Sequence, residues 1–395
     1  MSEPSTRRVA LEILARVEDD GAYANLAASA ALGRSDLDER DRRLVTDLVY
    51  GTLRRRRSLD HLVDRFLVAP PPPAARRALR LGTYQLVERP DIPDHAAVDE
   101  TVAATPKRFK GLVNAVLRKV AAAEVEYPDT ATQLSYPDWI VDTLRNDLGD
   151  DEAMGALASM NEPAARIERA DGYVQDPASQ AVVDLVGARP GELVVDLCAA
   201  PGGKATGMAA GGATVIAVDL APARVGLITT NVAKLGATGV FPVLADGTRA
   251  PLRPGCADRV LVDAPCSGLG VLRRRADARW RIDDAAPSRL ARVQVDLLDA
   301  AAELLVPGGL LVYSVCTLTA AESVGVDEEL ASRRPELIAE PAPGDPWISR
   351  GRGAVLLPQQ IGSDGMWLFR YRLDPADGRA RDRYDLGHPT SGATR

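Results

Sequence analysis

Two short stretches carry side chains that could do chemistry. In VDAPCSGLG (262–270), Asp263 and Cys266 stand three residues apart just past a β-branched run, and in LLVYSVCT (310–317) Cys316 follows another such run. A thiolate is a strong nucleophile and a carboxylate can orient a substrate or help move a proton, so the set suits covalent catalysis with acid–base help. A single cysteine is more often a small buried hydrophobe. Two at successive strand ends are harder to explain that way, whereas Cys256 has no such setting and reads as structural. The residues alone do not say which thiol attacks, and VDAPCSGLG taken by itself nominates Cys266.

A third stretch, VVDLCAAPGGKATGMA (194–209), reads as a strand, a Gly-rich turn and the start of a helix. Glycines there let backbone N–H groups approach a ligand, and a helix N-terminus favours an anionic group. The turn, Cys198, Ala199, Ala200, Pro201, Gly202, Gly203 and Lys204, is not the G-x-G-x-x-G of dinucleotide folds. The next strand, however, ends at Asp219, where an acid can take ribose hydroxyls. Asp246, at the end of the third strand in VLADGTRAP, lies where an acid could meet an adenine edge. The expected ligand is an adenosine-containing cofactor.

These residues need a frame. ELVVDL (192–197), ATVIAVDL (213–220), GVFPVLAD (239–246), ADRVLVDA (257–264), GLLVYSV (309–315) and MWLFRYRL (366–373) are short strand-like runs with helical stretches between most of them. That alternation predicts a doubly wound, mostly parallel sheet over 176–373, with ligands at the carboxyl ends of its strands. Residues 1–125 are different. RRVALEILARV places Val9, Ile13, Leu14 and Val17 on one helical face, PPPP at 70–73 breaks the helical period, and no alternating pattern appears, so an all-α domain is expected. Residues 126–175 read as a connector with some helix, and 374–395 as a polar, disordered tail.

The chain of 395 residues is long enough for two or three cores, and its net charge of −7 is unevenly spread. Residues 1–125 hold 21 Lys+Arg against 18 Asp+Glu, a net of +3, and the remainder 27 against 37, a net of −10. An acidic total does not exclude a nucleic-acid partner, because the electrostatic footprint is local. Arg273, Arg274, Arg275 and Arg279 with Trp280 could grip phosphate and base, as could Arg55, Arg56, Lys107 and Arg108 in the helical region, or these could be solvated faces. Four cysteines without a CxxC pair and three histidines argue against zinc and against a disulfide framework. No h-region opens the chain and no long apolar run crosses it, so a cytosolic protein is expected, away from membranes and monomeric.

DLCAAPGGK, DAPCSGLG and SVCT, in this order and spacing, resemble the NOL1/NOP2/Sun family of RNA cytosine-C5 methyltransferases, over about 135–373. RRLVTDLVYGTLR, LRLGTYQL and FKGLVNAVLRKV give 1–125 a resemblance to the helical fold of the antitermination factor NusB. The resemblance implies a Rossmann-like class I methyltransferase domain behind an all-α NusB-like RNA-binding domain, with S-adenosylmethionine as cofactor and RNA, first of all small-subunit ribosomal RNA, as partner. It implies Cys316 as nucleophile, Cys266 as helper in product release, and Asp263 at the cytosine edge and near the cofactor, which residues 198–204, Asp219 and Asp246 would hold. Two departures stand out. NEPAARIERADGYVQDPASQ is short where the family carries an RNA-contacting subdomain, and VCTLTAAES replaces a TCS-type sequence while keeping the cysteine. The rival readings are the same chemistry on transfer RNA or another ribosomal site, a non-catalytic RNA-binding factor, and a small-molecule methyltransferase.

Overall fold

The computed structural model describes residues 5–376. Most of the tail expected over 374–395 therefore lies outside the described residues. The chain divides into two compact units, Met1–Pro163 with Leu272–Asp283, and Ala164–Val271 with Asp284–Arg395.

The first unit is helical. Its helices include Thr6–Glu18, Glu39–Arg54, Arg56–Asp64, Pro73–Glu88 and Lys110–Ala121. Val9, Ile13, Leu14 and Val17 are all buried, as the period of that stretch predicts. Close helix crossings rest on small residues: a Cβ at Gly51 would lie 2.0 Å from the Tyr84 ring, and one at Gly82 would lie 2.4 Å from Leu117. The unit reaches further along the chain than the expected limit at 125. Helices Thr130–Leu134, Asp138–Leu148 and Asp150–Ser159 belong to it. Tyr136, fully buried, donates to the Leu157 carbonyl at 2.9 Å, and Arg57 donates to the Tyr136 carbonyl at 2.7 Å, which ties this stretch to the helices before it.

Leu272–Asp283 joins the same helical unit although it lies between two strands in sequence. Ala276 sits in the helical core, and Arg279 is completely buried, donating to the carbonyls of Arg54 and Ser135 and to Asn161 Oδ1 at 2.9 Å. Its guanidinium lies 4.0 Å from the centre of the Tyr136 ring, a cation–π contact made stronger by desolvation.

The second unit is built on a nine-stranded sheet with strands β1 (Leu193–Asp196), β2 (Thr214–Asp219), β3 (Val240–Leu244), β4 (Ala257–Asp263), β5 (Leu305–Val315), β6 (Leu337–Ala339), β7 (Ile348–Arg350), β8 (Gly353–Leu356) and β9 (Met366–Leu373). The order is β3-β2-β1-β4-β5-β9-β8-β7, with β6 also pairing β9. Strands β1 to β5 run parallel, while β9 returns antiparallel against β5. Helices such as Gly203–Ala210, Pro222–Leu235 and Ala286–Leu304 form the crossovers. Val194, Val195, Val260, Leu261 and Val312 in the central strands are buried, as strands covered on both faces must be. The sheet is thus mixed and mostly parallel, as the alternation of strands and helices predicts. The short strands β6, β7 and β8 were not evident from the sequence pattern.

Candidate active site

The strand order turns a scattered list of residues into one row. Along the carboxyl edge of the sheet come Asp246 after β3, Asp219 at the end of β2, the 197–204 loop after β1, Asp263 at the end of β4 with Cys266 after it, and Cys316 after β5. Ligands of open α/β sheets bind at this edge. Neighbouring strands lie about 4.8 Å apart, so side chains on adjacent tips can touch.

The 197–204 loop is shaped by its backbone. Gly202 has φ +101°, where an L side chain is strained, and it caps the helix Gly203–Ala210. Asp219 is 5% exposed, and its carboxylate accepts from Ala200 N at 3.2 Å and Arg224 Nε at 3.1 Å. Asn231, which no sequence signal singled out, donates to the Pro201 carbonyl at 2.8 Å. The short segment before the sheet packs onto the same loop. Residues Glu168 and Val174 pair as a bridge, Arg169 donates to the Gly203 carbonyl and to Thr206 Oγ1, and a Cβ at Gly203 would lie 2.5 Å from the Tyr173 ring.

Three buried or half-buried acids face this region. Burial, helped by Asp263 and Asp219, pushes the Asp196 carboxyl up to about 7, although Lys204 opposes the shift. Burial first, then the charges of Asp196, Asp263 and Asp219, raises the Cys198 thiol far above its usual range, so Cys198 stays protonated. Asp246 is exposed, and its carboxylate, held low by Thr248, caps the short helical turn Gly247–Arg249.

Asp263 is held from two sides. Lys204 Nζ lies 2.8 Å from Oδ2, and Ser314 Oγ donates to Oδ1 at 2.8 Å. Burial opposes the Lys204 charge, but Asp263, Cys316 and Asp196 outweigh it and hold the ammonium above its ordinary range. Beside this pair, Cys266 Sγ and Cys316 Sγ are 3.3 Å apart, both half-buried. The contact with Cys316, then burial, then the charges of Cys316, Glu322 and Asp263 push the Cys266 thiol well up. Gly270 threads between the two segments: its N–H donates to the Cys316 carbonyl at 3.1 Å and its carbonyl accepts from Gly365 N at 2.8 Å.

Behind the thiols stands Glu322, fully buried and not singled out in the sequence. It accepts from Ser267 N at 2.7 Å and from the hydroxyls of Ser267, Thr317 and Thr319. Gln294 donates to it and to the Pro265 carbonyl.

The residues expected to grip RNA lie in the helical unit, and they are not alike. Arg275, Lys107 and Arg108 are exposed, while Arg274, Arg55, Arg56 and Trp280 are half-buried. Arg273 is a correction: its side chain is 6% exposed and donates to the Pro163 carbonyl, so it holds the fold rather than presenting charge to solvent. Arg279, from the same basic run, is likewise internal. Trp280 donates through Nε1 to the Leu53 carbonyl, with Arg56 5.5 Å from its ring centre.

Comparison with known proteins gives the family. A family model described as 16S rRNA methyltransferase RsmB/F matches residues 183–372, and a NusB family model matches 4–122. The ribosomal RNA small subunit methyltransferase B of Thermus thermophilus is 38% identical over 94% of this chain and 98% of its own length. This chain belongs to the RsmB/F family. Members are methyltransferases that use S-adenosylmethionine, and this chain is such an enzyme. The protein of the same description from Yersinia pseudotuberculosis is 31% identical over 84% of this chain and 90% of its own. The crystal structure of PH0851 shares the fold at a TM-score of 0.78 with 20% identity, covering 94% of this chain and 99% of that one.

The residues present fit the family's cofactor. S-adenosylmethionine carries ribose hydroxyls and positive charge, and the row offers the Gly202 cradle with the carboxylates of Asp219, Asp196 and Asp263 beside it. Among the described residues, no helix is long and apolar enough to cross a membrane.

Proposed function

We propose that this chain methylates C5 of a cytosine in 16S ribosomal RNA in the cytosol, through a covalent bond between Cys316 and C6 of the base. The observation that carries the reading is the pair of thiols 3.3 Å apart at the tips of adjacent parallel strands, next to the cofactor loop. C5 of cytosine is a poor nucleophile, and adding a thiolate to C6 gives it enamine character. Bound S-adenosylmethionine supplies an electrophilic methyl group. Cys316 supplies the electron pair that forms the S–C6 bond. After methyl transfer, a base removes the C5 proton, the S–C6 bond breaks, and its electron pair returns to Cys316. Cys266 assists this release.

The electrostatics support that division of labour. Cys266 is held as a thiol and can donate its S–H toward Cys316, while Lys204 places positive charge near Cys316, which favours a thiolate. Asp263, held by Lys204 and Ser314, is aimed to meet the N3/N4 edge of cytosine. Residues 198–204, Asp219 and Asp246 hold the cofactor. The base must leave its stack to reach this recess. Arg55, Arg56, Arg274, Arg275, Trp280, Lys107 and Arg108 contribute RNA contacts from the helical unit.

The test is methylation of separate 16S ribosomal RNA, 23S ribosomal RNA and transfer RNA with labelled cofactor, followed by bisulfite mapping. One protected cytosine in 16S RNA is expected. Label in transfer RNA or 23S RNA alone would move the substrate, and no cofactor binding by calorimetry would point to a non-catalytic factor.

A further inference from the structure

We propose that Glu322 is the positioning residue of the thiol pair: its buried carboxylate clamps the turn bearing Cys266 to the turn bearing Cys316. The inference rests on the cytosine-methylation reading above for its catalytic consequence, but not for its geometry.

The clamp is made of hydrogen bonds. Ser267 follows Cys266 in sequence and gives Glu322 its N–H at 2.7 Å and its hydroxyl at 2.5 Å. Thr317 follows Cys316 and donates at 3.2 Å, and Thr319 donates at 2.9 Å. Ser267 and Thr317 also meet each other at 2.9 Å. The residue that follows each site cysteine is therefore bonded to the same carboxylate. Gln294, from the helix Ala286–Leu304, ties the assembly to the Pro265 carbonyl at 2.9 Å and accepts from Tyr313 at 3.0 Å. Tyr313 in turn donates to the Glu322 carbonyl at 2.7 Å.

A carboxylate removed from water is tolerated only when its oxygens are satisfied, and these donors satisfy both. Ionised, the group projects negative charge into a region of low dielectric, where it acts strongly. The groups facing Cys266 are Cys316 just past β5, Tyr313 of β5, Asp263 of β4 and Glu322. The cation Lys204 pairs with Asp263 and also acts on Cys316. Glu322 thus opposes ionisation of Cys266, and Lys204 favours that of Cys316. Two thiols in contact would otherwise compete for the same charge. Glu322 does not touch substrate, so its role is exerted through the cysteines.

The experiment is iodoacetamide alkylation of the full chain without RNA or cofactor across pH 6–10, with each cysteine followed by peptide mass spectrometry, alongside kcat and cofactor affinity on 16S RNA. In Glu322→Gln, the alkylation midpoint of Cys266 falls, so its labelling at pH 8 rises more than twofold. At the same time kcat drops at least tenfold and cofactor affinity is unchanged. Should Glu322→Gln fail to fold, Thr319→Val removes one donor alone and lowers kcat severalfold with the same unchanged cofactor affinity. The proposal is overturned if a folded Glu322→Gln, or Thr319→Val in its place, keeps kcat and Cys266 labelling within twofold of the parent. If the parent methylates no RNA while Glu322→Gln still shifts Cys266 labelling, the cytosine reading fails and the clamp stands.

Discussion

Lys204 Nζ stands 2.8 Å from Asp263 Oδ2, joining the helix Gly203–Ala210 to the tip of β4. The pair is largely enclosed, so each partner depends on the other. Lys204→Met leaves Asp263 with Ser314 alone and takes positive charge away from Cys316. Methyl transfer is expected to fall about 10²-fold, in the range of a positioned acid–base group, with cofactor affinity within tenfold of the parent. A rate within threefold would show that the pair does not orient Asp263.

Asp196 gives a pH signature. Its carboxyl titrates near 7 in the folded chain, against an ordinary value of 3.8. The folded state therefore binds more protons than the unfolded state between these values, and stability declines as pH rises from about 4 to 7. The contribution is fully present below pH 4 and lost above 7. Asp196→Asn removes this slope. Thermal melts of the cofactor-free chain at pH 5 and pH 8 are expected to show the parent losing more stability than Asp196→Asn, by about 1–3 kcal/mol. Parallel slopes would contradict the assignment.

Gly270 is required for space rather than for backbone freedom. A Cβ there would lie 2.2 Å from the Gly365 carbonyl oxygen and 3.0 Å from that of Cys316. The Cys316 backbone cannot yield without moving its thiol. Gly270→Ala is expected to cost about 1–3 kcal/mol in denaturant unfolding. It should also lower kcat more than tenfold even in the folded fraction. An unchanged kcat would mean that the Cys316 turn tolerates displacement.

The basic run 273–279 splits into two experiments. Arg279 is internal, so Arg279→Met is expected to destabilise the helical unit by about 3–5 kcal/mol, because the carbonyls it bonds lose their donor. Arg275 is exposed, and Arg275→Ala should leave stability within about 0.5 kcal/mol. It should weaken RNA binding uniformly, with the slope of log K against log salt reduced by about 1. RNA affinity unaffected by Arg275→Ala across the salt range would remove it from the interface.

Much of the site was legible because strand ends concentrate chemistry. DLCAAPGGK, Asp219, DAPCSGLG and SVCT each follow a short apolar run, so their meeting at one sheet edge followed from topology alone. Glu322 was not legible. It lies in TLTAAES, where nothing in the sequence singled it out, and only the fold brings Ser267 from the other turn to it. Arg279 misled for the opposite reason: its charge looked exposed, but the carbonyls of Arg54 and Ser135 that receive it are more than 140 residues away in sequence. The strands β6, β7 and β8 have three or four residues each, too few to show alternation.

The central claim is that Cys316 forms the bond and Cys266 breaks it off. It is tested most directly by incubating Cys266→Ala and Cys316→Ala with 16S RNA and S-adenosylmethionine and running denaturing gels. Cys266→Ala is expected to accumulate a slow-migrating protein–RNA species. Cys316→Ala is expected to give neither that species nor methylated RNA. A trapped species formed by Cys316→Ala and absent from Cys266→Ala would contradict the account.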